Sequence, residues 1–75
     1  MTSALEAFVD AVERSPEHQQ RVSEATTPEQ ITALAADLGC SVSTQDLRAF
    51  SRELCATWWP WSEKGHAWRR AFFGG

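Results

Sequence analysis

Residues 27–47 read TPEQITALAADLGCSVSTQDL, and the fold is decided there. Thr27-Pro28 is a helix start. A hydroxyl stands at the N-cap, and proline fills the first helical position, where an N–H would have no partner anyway. Gln30, three residues beyond Thr27, can complete a capping box. Ile31, Leu34, Ala35 and Leu38 then recur at i, i+3, i+4 and i+7, the spacing of one buried helical stripe. Gly39 suits the left-handed residue that ends a helix. The chain restarts at Ser43, which can cap the next helix. Asp46 adds negative charge to its first turn, and Val42 can pack on Leu47 as a hydrophobic staple. Leu47, Phe50 and Leu54 extend the apolar face.

The same grammar continues on both sides. Toward the N-terminus, Ser3 with Glu6 has the capping-box pattern, followed by Leu5, Phe8, Val9 and Val12 on one helical face. Ser15-Pro16 marks another start, and the weakly apolar segment through Val22 and Ala25 is expected to lie along the surface. Toward the C-terminus, Pro60 removes a donor and biases Trp59 away from helix. Residues 62–73 can form a short last helix with Trp68 and Phe72 on one face, weakened at Gly65 by about 1 kcal/mol relative to alanine. Strand alternation is absent. The expected fold is all-α: a small three- to four-helix bundle with a Trp-rich C-terminal tail.

Seventy-five residues make one small domain. A chain this short buries only about 60% of its unfolded surface, which disfavours a deep enzyme cleft. No apolar run approaches the roughly 18 residues of a membrane helix. The N-terminal stretch carries acids and no basic leader region, so it does not read as a secretory signal. Two cysteines without an export signal point to a cytoplasmic protein with reduced thiols. The formal charge of −3 is unevenly spread: residues 1–57 hold nine acidic and four basic side chains, whereas residues 58–75 hold Lys64, Arg69 and Arg70 against Glu63. Six of the eight aromatic residues also lie in 58–75. This divides a helical part, 1–57, from an aromatic and basic tail, 58–75. Since every cap and stripe just described precedes Thr57, the first part is expected to hold most of the helix by itself.

Cys40 and Cys55 lack the close spacing and paired histidines of a zinc site, and read as two small packing thiols. His18 reads as a solvated surface residue. A Cys–His nucleophile needs an orienting group and a pocket, and the sequence supplies neither. No catalytic, cofactor or metal residue is therefore assigned, and the chain does not read as an enzyme. The distinctive stretch is WWPW, residues 58–61, followed by KGHAWRRAFF, residues 64–73. Trp58 and Trp61 are expected to pack on the helix carrying Leu47, Phe50 and Leu54. Trp68, Arg69, Phe72 and Phe73 are expected to face outward and meet a protein partner, a second copy of the chain included, because Trp and Arg dominate binding hot spots. Three basic residues on an acidic protein are too few for nucleic acid. A structural or regulatory protein whose tail simply completes its own core, or drives self-association, is the alternative.

From the first helix to Leu54 the sequence resembles the Nif-eleven-like leader-peptide family. The elements that carry the resemblance are Leu5-Glu6-Ala7-Phe8, Ser15-Pro16-Glu17, Thr27-Pro28-Glu29-Gln30, Leu34-Ala35-Ala36-Asp37-Leu38-Gly39 and Ser43-Thr44-Gln45-Asp46-Leu47. The resemblance implies a cytoplasmic, non-catalytic leader of ribosomally made, post-translationally modified peptides, found mainly in cyanobacteria. It further implies recognition by a peptide-modifying enzyme or peptidase-transporter, with cleavage after a double glycine. Gly74-Gly75 matches that dipeptide, while the Trp-rich tail stands where such leaders carry an acidic, Leu-rich segment. A leader with a core peptide to follow, a stand-alone member, and a precursor whose tail is itself modified all remain open.

Overall fold

Helix starts fall where the sequence offers caps. The computed structural model describes residues 2–74. Helix α1 spans Ser3–Glu13, and its cap is Thr2, one residue earlier than the Ser3 expected from the capping-box pattern. The Thr2 hydroxyl accepts from the Leu5 N–H at 3.1 Å, and Ser3 is already helical. Helix α2, Pro16–Ser23, is capped by Ser15 as expected, with its hydroxyl accepting from the His18 N–H. Helix α3, Pro28–Asp37, follows Thr27, whose side chain makes no cap bond. Gln30 instead reaches back past it and accepts from the Thr26 N–H at 2.7 Å.

Helix α3 stops as its sequence prescribes. Gly39 has φ +78°, and the amides of Gly39 and Cys40 donate to the Ala36 and Ala35 carbonyls, the paired bonds of a Schellman motif. Helix α4, Thr44–Ala49, has a complete capping box: Asp46 N–H donates to the Ser43 hydroxyl, and Ser43 N–H to the Asp46 carboxylate. It is shorter than the stripe through Leu54 implies. The chain turns after Phe50, and the Leu54 carbonyl accepts from Trp61 Nε1 at 2.8 Å. A continuing helix would have given that carbonyl to the amide four residues on.

Helices α1 and α2, α2 and α3, and α3 and α4 are packed neighbours. Their buried residues, Leu5, Phe8, Val12, Val22, Ile31, Leu34, Ala35 and Leu47, form one core. Helix α2 lies along the surface as expected, anchored to the core by Val22, its one buried residue, at 1% exposure. The core continues past Thr57. Trp59 and Trp61 belong to it, at 2% and 0% exposure, while Trp58 is only half-buried. The inward pair is thus Trp59 and Trp61, not the expected Trp58 and Trp61. A last helix, α5, covers His66–Phe72. Gly65 sits at its N-cap, outside the helix interior, so the expected glycine penalty does not apply. Among the described residues the fold is entirely helical, and no helix is long and apolar enough to cross a membrane. The radius of gyration, 11.2 Å, matches the roughly 11 Å of a compact chain this long.

Candidate recognition surface

The tail is built as a series of turns. Trp59 N–H donates to the Ala56 carbonyl, Ser62 N–H to Trp59, and Lys64 N–H to Trp61. Pro60 fits because no turn bond requires its missing donor. The path throws residues 59 and 61 to one side, where their rings stack at 4.9 Å and 13°. Phe8 of α1 meets Trp59 edge-on at 6.4 Å, and Trp58 lies over the other part of Trp59 at 4.3 Å. Glu63 closes the last turn with φ +62°, a left-handed conformation that costs an L-residue about 1 kcal/mol.

Helix α5 then folds back over this pair. Trp68 and Phe72, four residues apart, stack at 5.1 Å and 12°. Phe72 presents its edge to Trp61 at 6.0 Å, Phe73 lies tilted on Trp61 at 5.5 Å, and Phe72 and Phe73 stand perpendicular at 5.2 Å. Lys64 Nζ lies 6.0 Å from the Trp68 ring, at the outer reach of a cation–π contact. One continuous chain of ring contacts therefore runs from Phe8 in the core to Trp68 at the surface. Its outer members, Trp58, Trp68, Phe72 and Phe73, are half-buried, and α5 buries no residue fully.

Of the residues expected to face a partner, Trp68, Phe72 and Phe73 are brought together. Arg69 is half-buried, and its Nε–H is buried without a hydrogen-bond acceptor. Gly74 is exposed with φ +81°, and Gly75 lies outside the described residues. Cys40 is half-buried, but Cys55 is exposed, its thiol donating to the Arg52 carbonyl rather than packing inside. His18 is half-buried instead of solvated, with Nδ1 unpartnered. No cluster of three metal-ligating side chains occurs among the described residues. The open groove of about 450 Å³ between α3 and α4 is lined by Thr32, Cys40, Ser41 and Ser43, with no histidine or carboxylate to activate them.

Sequence reasoning missed Trp59 and a spacing within α5. His66, Arg69, Arg70 and Phe73 fall at i, i+3, i+4 and i+7, a helical face distinct from the Trp68–Phe72 row and largely basic.

Compared with known proteins, the Nif11 domain family matches residues 2–47. No curated protein and no solved structure matches the chain. The matched span takes in α1 to α3 and ends at Leu47 within α4, short of the Leu54 to which the resemblance was read. The whole Trp-rich tail lies beyond it.

Proposed function

The chain belongs to the Nif11 domain family, and from that premise we propose that it is a non-catalytic recognition domain, the leader of a modified-peptide precursor or a stand-alone derivative of one. Residues 1–57 supply the family's helical scaffold, and residues 58–75 present an aromatic edge to a protein partner in the cytoplasm. The partner class is a peptide-modifying enzyme or a peptidase-transporter. The single observation that carries this reading is the half-buried aromatic strip of Trp68, Phe72 and Phe73. It is held from beneath by the fully buried Trp61, so its rings are fixed before binding and little ordering entropy remains to be lost. Gly74, exposed next to this strip, is open to a processing protease that reads Gly74-Gly75.

The test is titration of the full chain against a peptide-modifying enzyme, or a transporter's peptidase domain, from the same organism. Trp68→Ala should weaken binding about thirty-fold, the scale of an interface hot spot. Equal binding by Trp68→Ala and the parent chain would overturn the reading. One observation favours the second reading, a structural or regulatory protein that needs no such partner: Trp59 and Trp61 already complete the core. Under that reading, alanine at Trp68 or Phe72 lowers the melting temperature or dissociates a homodimer, and the parent chain itself does not bind the enzyme or peptidase.

A further inference from the structure

Helix α5 is held differently from the helices before it. Helices α1 to α4 each bury at least one side chain, whereas α5 buries none. Helices α1, α2 and α4 start on a side-chain cap, but Gly65 gives α5 no such cap, and its first turn carries no acid to meet the helix dipole. Its seven residues fall short of the roughly 12–15 that an isolated helix needs to persist in water, so it depends on what it docks against. The ring contacts that join it to the core converge on Trp61, which meets Phe72 at 6.0 Å and Phe73 at 5.5 Å. Two features work against that docking. A gap of about 160 Å³ remains between α5, at His66, Arg69 and Phe73, and the turn after α4, at Ser51 and Arg52. Arg69, beside this gap, keeps its Nε–H buried with no acceptor among the described residues. A buried charged donor left unpaired is costly, and water satisfies it as soon as the helix lifts.

We infer that α5 is a latch, which docks on Trp61 and undocks as one unit about residues 62–65 while α1 to α4 stay folded, with Arg69 keeping the docking loose. The connecting chain is suited to a hinge. Glu63, Lys64 and Gly65 are exposed, and opening releases the strain of Glu63 at φ +62°. The body keeps its fold in the open form, because the stack of Trp61 on Trp59 and its bond to the Leu54 carbonyl do not involve α5. Opening bares the outer face of Trp61, which has no exposed surface when the latch is shut. The freed segment is too short to stay helical, so the stacked Trp68–Phe72 row disperses. One consequence rests on the proposed function: a partner that binds this row holds the latch shut, because only the docked form presents it. The latch itself does not depend on that reading.

The test is amide hydrogen exchange, followed by NMR, on the full chain without a partner. The amides of Arg69 to Phe73 should be protected about a hundred-fold less than those of Phe8 in α1 and Leu34 in α3, and equally to within about three-fold, as one opening requires. Ser43→Ala, which weakens the body at the α4 cap, should speed exchange at Leu34 about five-fold and leave the α5 amides unchanged. Arg69→Met keeps the length of the side chain and removes the buried donor, so it should slow exchange in α5 about ten-fold. Protection in α5 equal to that of Leu34, or protection that falls residue by residue toward Phe73 as at a fraying end, would overturn the inference. So would α5 amides that follow Ser43→Ala, or that do not slow in Arg69→Met. Failure of the partner reading shows instead in the Trp68→Ala titration and leaves these exchange rates as they are.

Discussion

At the scale of single residues, Trp61 holds more of the structure than any other tail side chain. It has no exposed surface, stacks on Trp59, and donates Nε1–H to the Leu54 carbonyl. Trp61→Phe keeps a ring in place but leaves that carbonyl buried and unpaired, a loss of about 1–3 kcal/mol. Trp58→Phe removes no recorded hydrogen bond from a half-buried ring and should stay within about 0.5 kcal/mol. Urea melts of the two variants separate these outcomes, and equal losses would contradict the assignment of Trp61 as the anchor. Glu63 makes the opposite prediction. Its φ of +62° is one that glycine adopts freely, so Glu63→Gly should stabilise the chain by about 0.5–1 kcal/mol in the same melts. A destabilised variant would show that the Glu63 side chain has a role beyond closing the turn. Which of two adjacent tryptophans turns inward was not legible in the sequence. The turns around Pro60 decide it, and both residues have the same chemistry.

Among the elements, helix starts and stops obey local rules, and local rules are readable. Gly39 has open space where a Cβ would go, so Gly39→Ala meets no clash. Its cost is the left-handed backbone alone, about 1 kcal/mol, or roughly 4–8 °C in a domain of this size. Ser43→Ala removes half of a capping box and should cost about 1 kcal/mol as well. The two sites bracket the α3–α4 connection, and thermal unfolding followed by circular dichroism measures both. These caps were legible because each depends on residues within four positions of itself. The cap of α1 was misplaced by one residue because Thr2 and Ser3 can both accept from the first turn, and only the backbone path chooses between them. The end of α4 was not legible at all. Leu54 continues the periodic stripe, yet its carbonyl is claimed by a tryptophan seven residues later.

For the molecule as a whole, composition and packing divide the chain at different places. Charge and aromatic content change after Thr57, and the family match ends before it. The core does not stop there: Phe8 at the centre of α1 is covered by Trp59, which in turn lies on Trp61. Burial of a large aromatic side chain contributes on the order of 1.5–3 kcal/mol, and alanine in its place typically costs 3–5. Two such residues approach the entire stability of a small domain, about 5–15 kcal/mol. The tail therefore has an inner half that completes the core and an outer half of partly buried rings packed against it, which the proposed function assigns to a partner. The measurement that bears most directly on this division is thermal unfolding, by circular dichroism, of residues 1–57 alone beside the full chain. Because Trp59 and Trp61 belong to the core, the account reverses the expectation drawn from caps and stripes, and predicts that the shortened chain loses much of its helical signal and melts without a cooperative transition. A sigmoidal melt at a temperature close to that of the full chain would contradict it.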